Sequence, residues 1–178
     1  EWITYPADRY GFNNPDAVWD QGQVEWLLTG DSFTHGVCVE LGNNIAGQIR
    51  SMTSESVVNL GIHGSGPLVE LATLKEYAES VHPKKVFWVY YEGNDLINEL
   101  SYEKGVPLLM QYLEGGFSQH LIHRQKEIDN GLIEFIEEAK TLRYCGIGKS
   151  GFDSAIDKTN SNKKMWRCLV AINIGEIL

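Results

Sequence analysis

The sequence predicts a three-layer α/β/α fold with a parallel sheet in one domain, and three observations predict it. Short apolar runs rich in β-branched and aromatic residues alternate with stretches whose apolar residues recur three and four apart. Each clear run ends in a polar loop containing glycine, as parallel strands do where they hand over to a helix. The 178 residues, 43% hydrophobic, 11% aromatic and 22% charged, have globular proportions and suffice for one core.

In chain order, Val24-Glu25-Trp26-Leu27-Leu28-Thr29 is mostly apolar and stops at Gly30-Asp31-Ser32, the pattern of a buried strand feeding a loop. Residues 39–52 place Leu41, Ile45, Ile49 and Met52 on one helical stripe. A second strand is expected over 56–60, ending in Gly61-Ile62-His63-Gly64-Ser65-Gly66-Pro67. Pro67 suits the first turn of a helix, which Leu68, Leu71, Leu74 and Ala78 continue to His82-Pro83. Residues 85–91 hold Val86-Phe87-Trp88-Val89-Tyr90-Tyr91, expected as a central strand covered on both faces, and end at Glu92-Gly93-Asn94-Asp95. Farther on, 107–113 reads as a short helix and 119–142 as a long charged one with Ile122, Ile128, Leu132, Phe135 and Ile136 along its apolar face. Residues 146–164 read as a loop, and 168–174 as a strand or a helix. No internal repeat or second-domain boundary is visible.

The chain carries 15 Lys and Arg against 24 Asp and Glu, a formal charge of −9. A polyanion is met by a basic face, and the basic clusters here are as short as Lys84-Lys85 and Lys163-Lys164, so no nucleic-acid partner is expected. No stretch reaches the roughly 18 apolar residues of a membrane-spanning helix, and no basic-then-apolar leader opens the sequence. Cys38, Cys145 and Cys168 are spaced for neither a disulfide framework nor a paired Cys-x-x-Cys zinc site, and no cofactor or metal is expected. The chain opens on Glu1 and closes on an apolar stretch, so it is expected to be a piece of a longer protein.

Ligands of open parallel sheets sit outside the carboxyl ends of the strands. The three loops bring Ser32, Gly64 and Asn94 to that rim, with Asp31, His35, His63 and Asp95. A serine between a strand and a helix exposes its oxygen while nearby amides point at a developing anion, which suits a nucleophile in acyl transfer. Alone, such a serine is more often a helix cap. A close-approaching glycine N–H and an asparagine amide supply two further donors, and one oxyanion donor is worth on the order of 3 kcal/mol.

Gly30-Asp31-Ser32-Phe33-Thr34, Val58-Asn59-Leu60-Gly61-Ile62-His63-Gly64 and Glu92-Gly93-Asn94-Asp95 resemble the first three blocks of the SGNH, or GDSL-like, esterases and lipases, in order and over roughly residues 10–100. The longer patterns, with the upstream Arg9-Tyr10-Gly11-Phe12-Asn13-Asn14, look most like a bacterial branch of that superfamily. The resemblance implies a flavodoxin-like strand order, Ser32 as nucleophile, and an oxyanion hole from Ser32, Gly64 and Asn94. It also implies a small-molecule or carbohydrate acyl ester as substrate and a setting near the bacterial cell envelope.

The family's fourth block, Asp-x-x-His, is absent: no aspartate has histidine three residues on. The expectation is that the general base and its aspartate lie beyond residue 178. The alternatives are a non-catalytic or degenerate glycan-binding member, acyl transfer of the O-acetyltransferase type, or a rearranged site using His35, His63 or His120. Asp31 is expected to stabilise its loop rather than to activate the serine; Asn94 and Asp95 have the plainer alternatives of a turn residue and a helix cap. Tyr91 and Glu92 lie nearest the rim. His120-x-x-His123 with Glu127 reads as a solvated helix face, since a zinc site needs further ligands. Gly148-Lys149-Ser150 lacks the glycine of a P-loop at Arg143, and no Gly-x-Ser-x-Gly elbow occurs.

Overall fold

The structure, a computed structural model, describes residues 7–144, with side chains as far as residue 137. It forms two compact units, one ending at Ile122 and one beginning at His123. The first holds a three-stranded parallel sheet of β1 (Trp26–Gly30), β2 (Val57–Asn59) and β3 (Lys85–Val89), in the order β2-β1-β3. Trp26 stands beside Val57 on one side and Lys85 on the other. Between the strands lie α1 (Ser32–His35), α2 (Ile45–Thr53) and α3 (Pro67–Tyr77). A π-helical turn, Asp95–Glu99, leads into α4 (Leu100–Glu103), and α5 (Pro107–Gln111) follows.

Neighbouring strand residues point to opposite faces, which fixes the layers. Leu28 packs with Ala46 of α2 and Val57, flanked by Trp26 and Ile49. Thr29, next in the chain, donates from Oγ1 to the Glu70 carbonyl of α3 at 3.3 Å. Helices α2 and α3 therefore cover opposite faces, as right-handed crossovers require when β1 leads to β2 on one side and β2 leads to β3 on the other. Helices α4 and α5 pack on α3. Strand order thus reverses about β1, and in open parallel sheets the ends of the strands at such a reversal, here β1 and β3, are where ligands bind.

Three sequence expectations need correction. Regular helix begins at Ile45, because the Asn44 carboxamide accepts the Gly47 N–H at 2.7 Å and starts it there. Leu41–Asn43 is a separate 3-10 turn, and Met52 of the expected stripe is 81% exposed while Ala46 and Gly47 are buried. In α3 the buried set is Leu68, Val69, Glu70, Ala72, Thr73, Glu76 and Tyr77, rather than the expected Leu71 and Leu74 stripe. Strand β3 is an edge among the described residues, with Val86, Phe87 and Trp88 each 44–46% exposed rather than covered on both faces. Its apolar side chains are only partly used: Phe87 stacks on Trp26 at 4.9 Å, and the Trp88 indole N–H donates to Glu70 at 2.5 Å.

The second unit contains α6 (Gln125–Tyr144), which starts six residues after the expected helix because Leu121–His123 forms a 3-10 turn. No helix among the described residues is long and apolar enough to cross a membrane. The expectations for residues 146–164 and 168–174, and for Cys145 and Cys168, lie outside the described residues.

Candidate active site

Strand β1 enters its loop through a crowded glycine. A Cβ at Gly30 would stand 2.2 Å from Thr34 Oγ1 and 2.6 Å from the Val89 carbonyl oxygen. Asp31 then caps α1, its Oδ1 accepting the Phe33 N–H at 2.9 Å, while its carbonyl accepts the His35 N–H at 2.9 Å. Ser32 opens the helix and is half-buried. Its Oγ lies 3.5 Å from Asp31 Oδ2, too far for an activating hydrogen bond, so Asp31 serves the loop backbone.

The second loop is bound to the first. The Ile62 N–H donates to the Gly30 carbonyl at 3.0 Å, and Ser65 Oγ donates to the Ile62 carbonyl at 2.8 Å. Gly64 sits there with φ +77°, a conformation that favours glycine. Among the described residues, neither the Ser32 nor the Gly64 N–H finds an acceptor. The third loop closes through Asp95, which is fully buried and accepts the Tyr91 N–H at 2.6 Å while returning its own N–H to the Tyr91 carbonyl at 3.2 Å. Asn94 is half-buried beside it and spends one of its two amide hydrogens on Glu99 Oε1 at 2.9 Å. The Phe33 and Tyr91 rings meet at 5.0 Å, joining the first loop to the third.

Of the histidines, His35 ends α1 and is buried. Burial and then the neighbouring His63 hold its pKa below the usual imidazole range, so it stays neutral at pH 7. His63 is exposed and lines the same groove as Ser32. His120 is exposed with a left-handed backbone, φ +56°, so the expected continuous helical face through His123 and Glu127 does not form. Glu127 instead pairs with Arg124 at 2.8 Å, and no metal-competent cluster occurs among the described residues.

The residues that hold the Ser32 turn are ones to which the sequence alone assigns no role. Asn59, at the end of β2, donates from Nδ2 to the Thr34 carbonyl at 2.7 Å and accepts the Gly61 N–H at 2.9 Å. Asn13 donates to the His35 carbonyl at 2.8 Å. Asn14 grips the outer edge of β2: Oδ1 accepts the Asn59 N–H at 2.8 Å, and Nδ2 donates to the Asn59 carbonyl at 2.9 Å. Arg50 covers the same edge at the Val57 carbonyl, 2.7 Å away, and reaches Asn14 Oδ1 at 2.8 Å. Burial lowers its pKa to about 10, which leaves it charged at pH 7. Asp8 organises the segment behind, accepting from the Tyr10 and Phe12 N–H groups, Asn14 Nδ2 and Trp19 Nε1. Gly61 lies against the turn so closely that a Cβ would stand 2.3 Å from the His35 nitrogen. The available signal was a buried asparagine inside the apolar run Val57-Val58-Asn59-Leu60, where an unpaired amide would be costly.

Carboxylates support the far side. Glu103 accepts the Gly66 and Leu68 N–H groups at 2.7 and 2.8 Å and so caps α3 from a distance. Burial raises the pKa of Glu103 and of Asp95 and pushes that of Glu70 up to about 8, with Asp95, Glu103 and Asp31 adding to the effect on Glu70. No protein-family model, curated protein or solved structure matches the chain.

Proposed function

We propose that the protein is a serine ester hydrolase of the SGNH type acting on carboxylic or carbohydrate acyl esters. The observation that carries the reading is the position of Ser32: first residue of a helix, directly after the central strand, at the strand ends where the order reverses. In the proposed reaction Ser32 Oγ attacks the acyl carbon and loses its proton to a general base, and the alcohol leaves to give an acyl-enzyme. Water then releases the acid. The Ser32 and Gly64 N–H groups, which have no acceptor among the described residues, and the second Asn94 amide hydrogen are the donors for the oxyanion. The general base and the aspartate that orients it are left unassigned by residues 7–144. His35 is buried, whereas His63 is exposed and lines the same groove as Ser32.

The test uses the full-length gene product. Fluorophosphonate is expected to label Ser32, and the protein to release acid from p-nitrophenyl acetate or acetylated sugars, with Ser32→Ala abolishing both. Absence of labelling together with absence of turnover overturns the proposal. His63→Gln distinguishes the bases: a loss as large as that of Ser32→Ala assigns the proton transfer to His63, and retained turnover assigns it elsewhere.

A further inference from the structure

The groove that contains Ser32 has a volume of about 390 Å³. Its lining holds the apolar Phe33, Val37, Val39 and Ile45 together with Asn43, Asn44 and His63. Phe33 is 58% exposed, and Val37, Val39 and Ile45 are each 36–40% exposed. Four large apolar side chains in one concave surface that also contains a nucleophile form a contiguous patch of the kind proteins reserve for binding.

The lining chemistry identifies the occupant. Among the described residues no carboxylate, lysine or arginine lines the groove. Asn44, its buried polar member, spends Oδ1 on the Gly47 N–H at 2.7 Å, and its Nδ2, buried without a partner among the described residues, is out of contact with solvent. A sugar ring placed here would surrender water to its hydroxyls and find few partners in return. An alkyl chain gains about 0.8 kcal/mol for each methylene it buries. The volume sets a limit, since at about 30 Å³ for each water-sized atom it holds about a dozen non-hydrogen atoms. One wall is firm: Ile45 opens α2, whose Ala46 is locked under β1 and β2.

We infer that this groove takes the aliphatic acyl chain of the ester, so that the substrate is a medium-chain ester of about six to ten carbons rather than an acetate. The inference rests on Ser32 as the nucleophile. It makes Val37, Val39 and Ile45 the residues that set acyl length.

The experiment measures kcat/KM for p-nitrophenyl acetate, butyrate, hexanoate, octanoate and decanoate with the full-length gene product. It adds labelling rates for ethyl and octyl fluorophosphonates. The expected result is a rise of about fourfold per methylene to hexanoate or octanoate, then a plateau, and faster labelling by the octyl probe. Val39→Trp and Ile45→Trp are expected to lower the octanoate-to-acetate ratio at least tenfold. General damage to the fold lowers both substrates alike and leaves that ratio in place. If acetate is turned over as well as octanoate, or the ratio is insensitive to both substitutions, the acyl assignment is overturned while Ser32 as nucleophile stands. If no ester reacts and neither probe labels Ser32, the underlying reading fails and the acyl assignment fails with it.

Discussion

Replacing Asn14 with alanine tests whether the scaffold behind Ser32 is what holds the turn. Asn14 is 1% exposed and uses its whole carboxamide, with two bonds to the Asn59 peptide groups, one to Asp8 Oδ2 and one from Arg50. Asp8 retains the Trp19 indole and Arg50 retains the Val57 carbonyl, so these lose little. The Asn59 N–H and C=O lose the partners described for them on the outer edge of β2, where both residues are buried. Each buried group left unpaired costs about 1–3 kcal/mol, and the small cavity adds to that, so a loss of about 3–5 kcal/mol is expected. With a urea slope of about 2 kcal/mol per molar, the midpoint falls by about 2 M at unchanged slope. Asn14→Asp does no better, since it keeps the acceptor and sets a second carboxylate 2.8 Å from Asp8. Labelling of Ser32 by fluorophosphonate under folding conditions is expected to slow as well, because Asn59 passes the disturbance to the Thr34 carbonyl. A midpoint within about 0.3 M of the parent for both variants would refute the reasoning, since the margin is small beside the shift expected.

Two further outcomes follow from the same geometry. Gly61→Ala sets a methyl against backbone atoms of the turn, 2.3 Å from the His35 nitrogen and 2.6 Å from the Thr34 carbonyl carbon, which cannot rotate away. Overpacking of this kind costs about 1–3 kcal/mol, so both the urea midpoint and the Ser32 labelling rate are expected to drop. For Glu70, the unfolded carboxyl titrates near 4.5 and the folded one near 8, so the folded state binds more protons between these values and stability falls as pH rises from about 4.5 to 8. Glu70→Gln keeps an acceptor for the Trp88 indole and removes the titration. Its melting temperature is therefore expected to decline less than the parent's between pH 5 and 8, and equal declines would contradict the assignment.

The local part of this architecture was legible, and the non-local part was not. β1 and α1 are written in adjacent residues: an apolar run, Gly30 at the turn and Asp31 positioned to cap. The three glycine-containing loops meet because parallel strands all end on one edge, which alternation of elements alone foretells. What β3 lies beside is a different matter. Its aromatic run suits a covered strand, and nothing in residues 85–91 records that, among the described residues, it pairs with β1 alone. The α2 stripe was misread because one capping side chain, Asn44, outweighed the periodicity around it. Glu103 was invisible for a similar reason, since it caps a helix 35 residues upstream of it, a distance no local pattern encodes.

The scaffold is non-local because α1 cannot support itself. A helix of four residues has barely one turn, and nucleation makes so short a helix unfavourable on its own. The closing bond of Gly36 to the Ser32 carbonyl at 3.0 Å and the Asp31 cap do not change that balance. The direction of Ser32 is therefore settled by groups distant in sequence that bind the turn from outside: Asn13 at the His35 carbonyl, Asn59 at the Thr34 carbonyl, and Gly61 in contact behind them. Asn13 and Asn14 in turn depend on a segment held by Asp8 and by the packing of Tyr10, Phe12 and Trp19 on Tyr77. Asparagine suits positions 14 and 59 because its amide donates to a carbonyl while accepting an N–H, and at Asn14 this is the pairing that a neighbouring strand would otherwise supply. The stretch before the first strand is thus part of the support of Ser32, and loosening it reaches that residue through two carbonyl oxygens without altering any residue of the three loops.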